Sequence, residues 1–461
     1  MKRVLAGIVL LVLTGAAVYG YTVSERERRY RDLIGEGDAA LARDNTAAAI
    51  EAFSGAITLK PDSMLGYFKR GQTYHRRSEL SAALRDLHRA SDIDPMATGP
   101  LEELGDVLLV DSPHRYSAAA DHYAAYVRLD NRAPRVLYKL AFARYNDGRL
   151  ADAIDAVHAS LALDNRSADA YFLLGLCERD AQHPEPARQS LERAIQLQPA
   201  MLHAREQLAD LDGGRNTEAR LAQLEALAAL DPRASRDITL GVAYLQAGQP
   251  ERAVLTLSHA AERYRDEPAI YVALGRVWLE IAQARHDRVA LNKALEALAG
   301  AAANDNSSEG LTLFGRALLL ASDAEGAERM LEDATAKQPV DPLAFLYLAE
   351  AAERQKHYAT ARQALLDYAA LRGDEPEARR RSAEAARVAA LSLQLNDPTT
   401  AATYFLRAAE DAPNDAGLIA RAADAQLRAG DRDTARGTAA RALEKDPANP
   451  VALAVLRRAD R

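Results

Sequence analysis

From about residue 30 onward, apolar and polar positions alternate in short helical periods separated by small breaks. Residues 168–199 show the pattern. Tyr171, Leu174, Gly175 and Glu178 recur at helical spacing, which predicts a helix with one packed face. His183-Pro184-Glu185-Pro186 ends it, because proline cannot continue a helix interior. Ala187, Leu191, Ala194 and Ile195 then mark the buried stripe of a second helix, closed by Pro199. Two such antiparallel helices, each about 12–15 residues long, cannot bury both apolar faces alone. Stacking on a further pair buries them, so the pattern calls for an array.

The array is visible as internal repetition. Ala187-x3-Leu191-x2-Ala194-x4-Pro199 matches Ala327-x3-Leu331-x2-Ala334-x4-Pro339. Ala49-x3-Phe53-x2-Ala56-x4-Pro61 and Ala401-x3-Phe405-x2-Ala408-x4-Pro413 follow the same scheme. Repeats begin near 30, 64, 98, 134, 168, 202, 234, 268, 308, 342, 382 and 416, mostly 34 residues apart. The eighth position is small in all twelve: glycine in seven (Gly37 to Gly315) and alanine in five (Ala141 to Ala423). A small residue there lets two helix backbones approach, and a larger one would overpack the crossing.

With its small eighth position, the aromatics Tyr74, Tyr244 and Trp278 three residues later, the alanine opening the second helix and the closing proline, the chain resembles the tetratricopeptide repeat family over about residues 30–447. The resemblance implies an all-α fold, a right-handed solenoid of about twelve helix-turn-helix repeats with a concave groove lined by the first helices. Repeat six departs from the pattern, with Leu221 at the alanine position and Gly213-Gly214 in its turn. Repeats three, eight and ten carry extra residues around Ser112–Ser117, Ala284–Ala290 and Arg372–Arg381. Val451, Leu453, Val455 and Leu456 predict a short capping helix over 450–461.

The N-terminus reads differently. Lys2 and Arg3 precede a charge-free stretch of 20 residues from Val4 to Val23. As a helix it would span roughly 30 Å, enough to cross a bilayer core. The expected organisation is a tail at 1–3, a transmembrane anchor at 4–23, a charged linker at 24–29, the array at 30–449 and the cap. A cleaved secretory signal, with small residues at Gly15-Ala16-Ala17, is the competing reading. Either one carries the array across the membrane. Arg26, Arg28, Arg29 and Arg31 on the far flank leave an inverted, cytoplasmic orientation open.

Composition narrows the function classes. The net charge is −8, with 66 acids against 58 bases, so no basic excess exists to neutralise a nucleic-acid backbone. The single cysteine, Cys177, excludes an intrachain disulfide and reads as a buried, inert thiol. No His-Glu-x-x-His, Gly-x-Ser-x-Gly, phosphate-cradling Gly-x4-Gly-Lys-Ser/Thr or Gly-x-Gly-x-x-Gly motif is present. His114 and His122, the nearest histidines, read as surface or packing residues. Repeats fill nearly the whole chain and leave no span for a catalytic domain. The expectation is a non-enzyme without cofactor, metal or small-molecule substrate.

In the geometry that the resemblance implies, the second, fifth, ninth and twelfth positions of each repeat face the groove. They give Phe68 and His75 in repeat two, Tyr138, Phe142 and Tyr145 in repeat four, and Phe172 and Arg179 in repeat five. Aromatics in a concavity make good binding anchors; for Tyr138 and Tyr145, core packing is the alternative. Repeat three contributes Glu102, Asp106 and Leu109, an acidic interruption that suits a partner carrying a lysine or arginine. Ile238, Val242, Leu245 and Leu279 form a second candidate surface without aromatics. The family's chaperone-tail clamp needs lysine and asparagine where this chain has Ile34 with Asp38 and Phe68 with Gln72, so that clamp is not supported. The expected function is a membrane-anchored scaffold that binds a protein or peptide partner, with the array periplasmic in a bacterial cell-envelope assembly. The alternative is an accessory subunit of envelope biosynthesis, such as polysaccharide export or cytochrome maturation.

Overall fold

The computed structural model describes residues 2–111, 115–213, 217–303, 307–372 and 377–460, with backbone alone at 2–7, 9 and 111. Among the described residues there are 25 helices and no strand. After the long first helix, Lys2–Ala42, the helices pair as the periodicity predicts, for example Ala168–Asp180 with Pro184–Leu197 in repeat five. The chain forms two compact units, residues 1–230 and 231–461. The first holds repeats one to six. The second holds repeats seven to twelve and the final helix, Pro450–Ala459.

Each hairpin is fixed at its crossing and at its turn. At the crossing, a Cβ on Gly175 would stand 2.8 Å from Leu191 Cγ, and one on Gly241 2.6 Å from Leu257 Cγ. Phe53 covers Gly37 and Tyr123 covers Gly105 in the same way. The large side chain sixteen to eighteen residues on is what excludes a Cβ from the first helix. At the turn, the fifteenth position is left-handed in nine repeats among the described residues. Gly148, Gly248 and Gly430 take it without cost, but Asp44, Ser78, Gln182, Ser322, Lys356 and Asn396 adopt φ between 57° and 67°. The bonds that reward this conformation are those of a Schellman cap: in repeat five, His183 N donates to Glu178 O at 2.8 Å and Gln182 N to Arg179 O at 3.0 Å. The next residue often caps the second helix, as Asn45, Asp323, Asp397 and Asp431 do with their side-chain oxygens. The far end of some hairpins is tied by a serine: Ser160 Oγ donates to Pro134 O at 2.8 Å, and Ser382 Oγ to Ala408 O at 2.8 Å.

The extra residues of repeat eight lengthen helices instead of looping out. Pro268–Arg285 has 18 residues and Arg288–Ala302 has 15, where repeat five has 13 and 14. Glu280 to Arg285 are mostly good helix formers, so the helix continues until His286 turns left-handed at φ 53°. Around repeat ten, Tyr358–Arg372 and Ala378–Gln394 are lengthened to 15 and 17 residues. Residues 112–114 and 373–376, inside the other expected insertions, lie outside the described residues. The final helix packs on Ala416–Arg428 and Arg432–Lys445 and buries Ala452, Val455 and Ala459. Val451, expected on its inner face, is exposed.

The membrane anchor expected at the N-terminus is not shown. Among the described residues no helix is long and apolar enough to cross a membrane, so a single-pass anchor at 4–23 is not supported. The side chains of residues 4–7 and 9 in that stretch lie outside the described ones. Residues 24–29, expected as a linker, continue the helix. Arg26 Nε donates to Leu59 O, and Glu27 pairs with Lys60 at the end of repeat one's second helix.

Candidate partner-binding surface

The first helices of repeats two to six are Met64–Arg76, Thr98–Asp111, Pro134–Asn146, Ala168–Asp180 and Leu202–Leu211. Each buries its small eighth residue and neighbouring apolar positions against its own second helix and adjacent repeats. What remains is a face of polar and aromatic side chains, tied from one repeat to the next. Lys69 Nζ donates to Asp38 at 2.9 Å, and Gln72 and His75 both meet Glu103, at 3.0 and 2.6 Å. Lys139 Nζ lies 2.7 Å from both Glu102 and Asp106, and Arg135 also pairs with Glu102. Tyr145 Oη donates to Asp180 at 2.7 Å, and Arg179 bonds Gln207. These side chains are largely half-buried, where charge-assisted bonds are stronger than at an open surface.

The aromatic candidates separate in this setting. Phe68 is half-buried against Leu87, Leu104 and Val107 and reaches the backbone of Gly99. Phe172 is half-buried against Leu191, Ala204 and Leu208. Tyr138 packs on the core of repeats three to five; burial, and then the nearby charge of Asp169, raises its pKa. Tyr145 packs on the same core, and burial followed by its bond to Asp180 pushes its pKa up to about 12. Phe142 differs: it is 37% exposed. Its ring meets Tyr116, the first residue of repeat three's second helix, edge to face at 6.4 Å. Of the seven candidates, then, one apolar ring stands open, three aromatics lean into the core, and Tyr145, His75 and Arg179 are engaged in ties between repeats.

Two further expectations change. The acidic interruption is not a free negative surface, because Glu102 and Asp106 face Lys139 and Arg135, and Asp106 also accepts from Tyr123 Oη at 2.6 Å. In the second unit, Leu279 is fully buried with Leu298 and Ala294, and Ile238, Val242 and Leu245 are half-buried. That set forms no continuous open surface. Cys177 is buried, and burial, with Asp180 and Glu178 nearby, pushes its thiol up to about 12. Of the two histidines singled out in the sequence, His114 lies outside the described residues. His122 lies 5.6 Å from His88 with the rings tilted by 57°, a neighbour the sequence reading missed. The residues that tie the face together were missed too. Their signal is a charge followed about one repeat later by its opposite, as in Asp106 and Lys139.

Comparison with known proteins agrees with the internal repetition. A family model for the tetratricopeptide repeat matches residues 34–97, 138–201 and 312–378. Small glutamine-rich tetratricopeptide repeat-containing protein 2 of Mycosarcoma maydis is 33% identical over 95 residues, 21% of this chain. The match spans 26% of that relative's length. Among solved structures, a tetratricopeptide repeat protein from Parabacteroides merdae ATCC 43184 is 19% identical. That alignment covers 54% of this chain and 99% of that one, with a TM-score of 0.39. The APC/C hetero-tetramer Cut9-Hcn1 is 14% identical, covering 94% and 96%, with a TM-score of 0.34.

Proposed function

For a chain that carries tetratricopeptide repeats, we propose that it acts as an interaction scaffold, holding a protein or peptide partner on the first-helix face of its first unit. The observation that carries this reading is Phe142. It is a large apolar ring on a first helix, 37% exposed, flanked by Tyr116 and set among side chains already bonded to one another. Such a ring buries much area at low entropic cost, and a face ordered before binding loses little freedom on binding. The charges beside it are matched internally, so the partner's first requirement is an apolar side chain rather than a basic one. We read the chain as a binding protein and not an enzyme. A thiol buried with a pKa near 12 suits a core residue rather than a nucleophile.

The test is a photo-cross-linking side chain placed at position 142 of the full-length protein. One polypeptide captured there, and lost from a chain carrying the label at exposed Leu255 in the second unit, is the expected result. Capture from Leu255 alone would overturn the reading.

Attachment to a membrane through residues 4–23, with the array in a cell-envelope assembly, is a separate proposal. The charge-free run and the exposed Leu10, Leu11, Val12 and Leu13 support it. Extraction of cell membranes with alkaline carbonate decides it: retention in the pellet is expected, and release of the full-length chain would refute it.

A further inference from the structure

In the second unit, three helices enclose a cavity of about 440 Å³ away from the surface just described. Its walls are the second helix of repeat ten, Tyr358–Arg372, and both helices of repeat eleven, Ala378–Gln394 and Pro398–Asp411. The space has a sequence cause. The first two of these helices are lengthened, and the residues they turn toward one another, Ala369, Ala370 and Ala385, are too small to fill the gap. The floor is apolar: Leu365 and Val388 are buried, with Leu366 and Tyr404 half-buried beside them. The rim is charged. Arg372 pairs with Glu384 at 2.8 Å and Arg381 with Asp411 at 2.6 Å. Arg407, also on the rim and exposed, has no hydrogen-bond or ion-pair partner among the described residues. Among the described lining residues, three guanidinium groups stand against two carboxylates, which leaves one positive charge over an apolar floor.

We propose that this cavity is a second binding site, for a carboxylate carried on a short aliphatic body. The aliphatic part would lie on Leu366, Tyr404 and Ala369, over the buried Leu365 and Val388, and the carboxylate would meet Arg407. Arg407 is suited to the role because a guanidinium fork matches a carboxylate's two oxygens. A cavity of this size is at the small end of those that hold small ligands. A phosphate or other compact anion would leave the apolar floor empty, and an amine would place its charge against Arg407. Two sources share the favoured chemistry, a free aliphatic acid and the C-terminus of a peptide.

The experiment is calorimetric titration of the full-length chain with four probes: hexanoate, hexylamine, the acetylated dipeptide Ala-Leu with a free carboxyl end, and the same dipeptide amidated. Saturable binding of hexanoate, or of the free dipeptide and not its amide, is the expected result and identifies the source. Arg407→Glu should weaken that binding about tenfold or more, the scale of one charge-assisted bond. Ala369→Phe, at an exposed position on the cavity wall, should block it. Both positions are exposed, so circular dichroism should show an unchanged melting temperature. No saturable binding of either carboxylate, equal binding of hexylamine, or binding that both variants leave intact would overturn the site.

Discussion

Gln182 and Lys356 sit in a backbone conformation that favours glycine, with φ of 63° in each. A left-handed residue bearing a Cβ costs roughly 1–2 kcal/mol, less whatever flexibility glycine adds to the unfolded chain. Gln182→Gly and Lys356→Gly should therefore each stabilise the protein, by about 0.5–1 kcal/mol in urea denaturation. The opposite change is costly at the crossings. Gly175→Leu must push its side chain into Leu191, only 2.8 Å from where the first added carbon would stand. Overpacking of this kind costs about 1–3 kcal/mol, and each repeat touches only its neighbours. Hydrogen exchange should accelerate in repeats four to six and stay unchanged in the second unit. His122 gives the pH dependence: burial, and then the facing His88, holds its pKa below the ordinary 6.5. The unfolded chain takes up the proton first, so this ring's contribution is complete above about pH 6.5 and lost as pH falls through the folded value. Wild type should lose melting temperature as pH falls below about 6.5, and His122→Gln should lose less of it.

At the scale of the helix pair, the two phenylalanines of repeats four and five make the sharpest contrast. Both are groove positions in the sequence scheme, the ninth of repeat four and the fifth of repeat five, yet Phe172 packs on the core of Leu191, Ala204 and Leu208 while Phe142 is open. Phe172→Ala should cost about 2–3 kcal/mol of stability, less than the full burial value because the ring is only half-buried. Phe142→Ala should leave the melting temperature nearly unchanged. The helices and their crossings were legible in the sequence because a 34-residue recurrence of small and large residues is a local, repeated signal. The left-handed turn position was not, because glycine shares it with five other residue types and what selects it is a backbone bonding pattern. The extra residues of repeat eight were read only as added length around Ala284–Ala290; Glu280 to Arg285 are mostly helix formers, and the helix ran on through them.

At the scale of the whole chain, repetition made the array and its cap legible and left the division into residues 1–230 and 231–461 hidden. The sequence scheme placed the candidate residues on first helices, where the structure has them, and misjudged their exposure. Exposure depends on the neighbouring repeat, which a single-repeat pattern does not contain: Glu102 and Asp106 are acidic in sequence and neutralised in space by Lys139 and Arg135, roughly one repeat on. The central claim is that the first-helix face of the first unit binds a partner through Phe142. The measurement that tests it most directly is the affinity of Phe142→Ala for the partner captured at position 142, read with its melting temperature. The account predicts a loss of about 2 kcal/mol or more in binding, the scale of an interface hot spot, at unchanged stability. Unchanged affinity in a fully folded variant would contradict it.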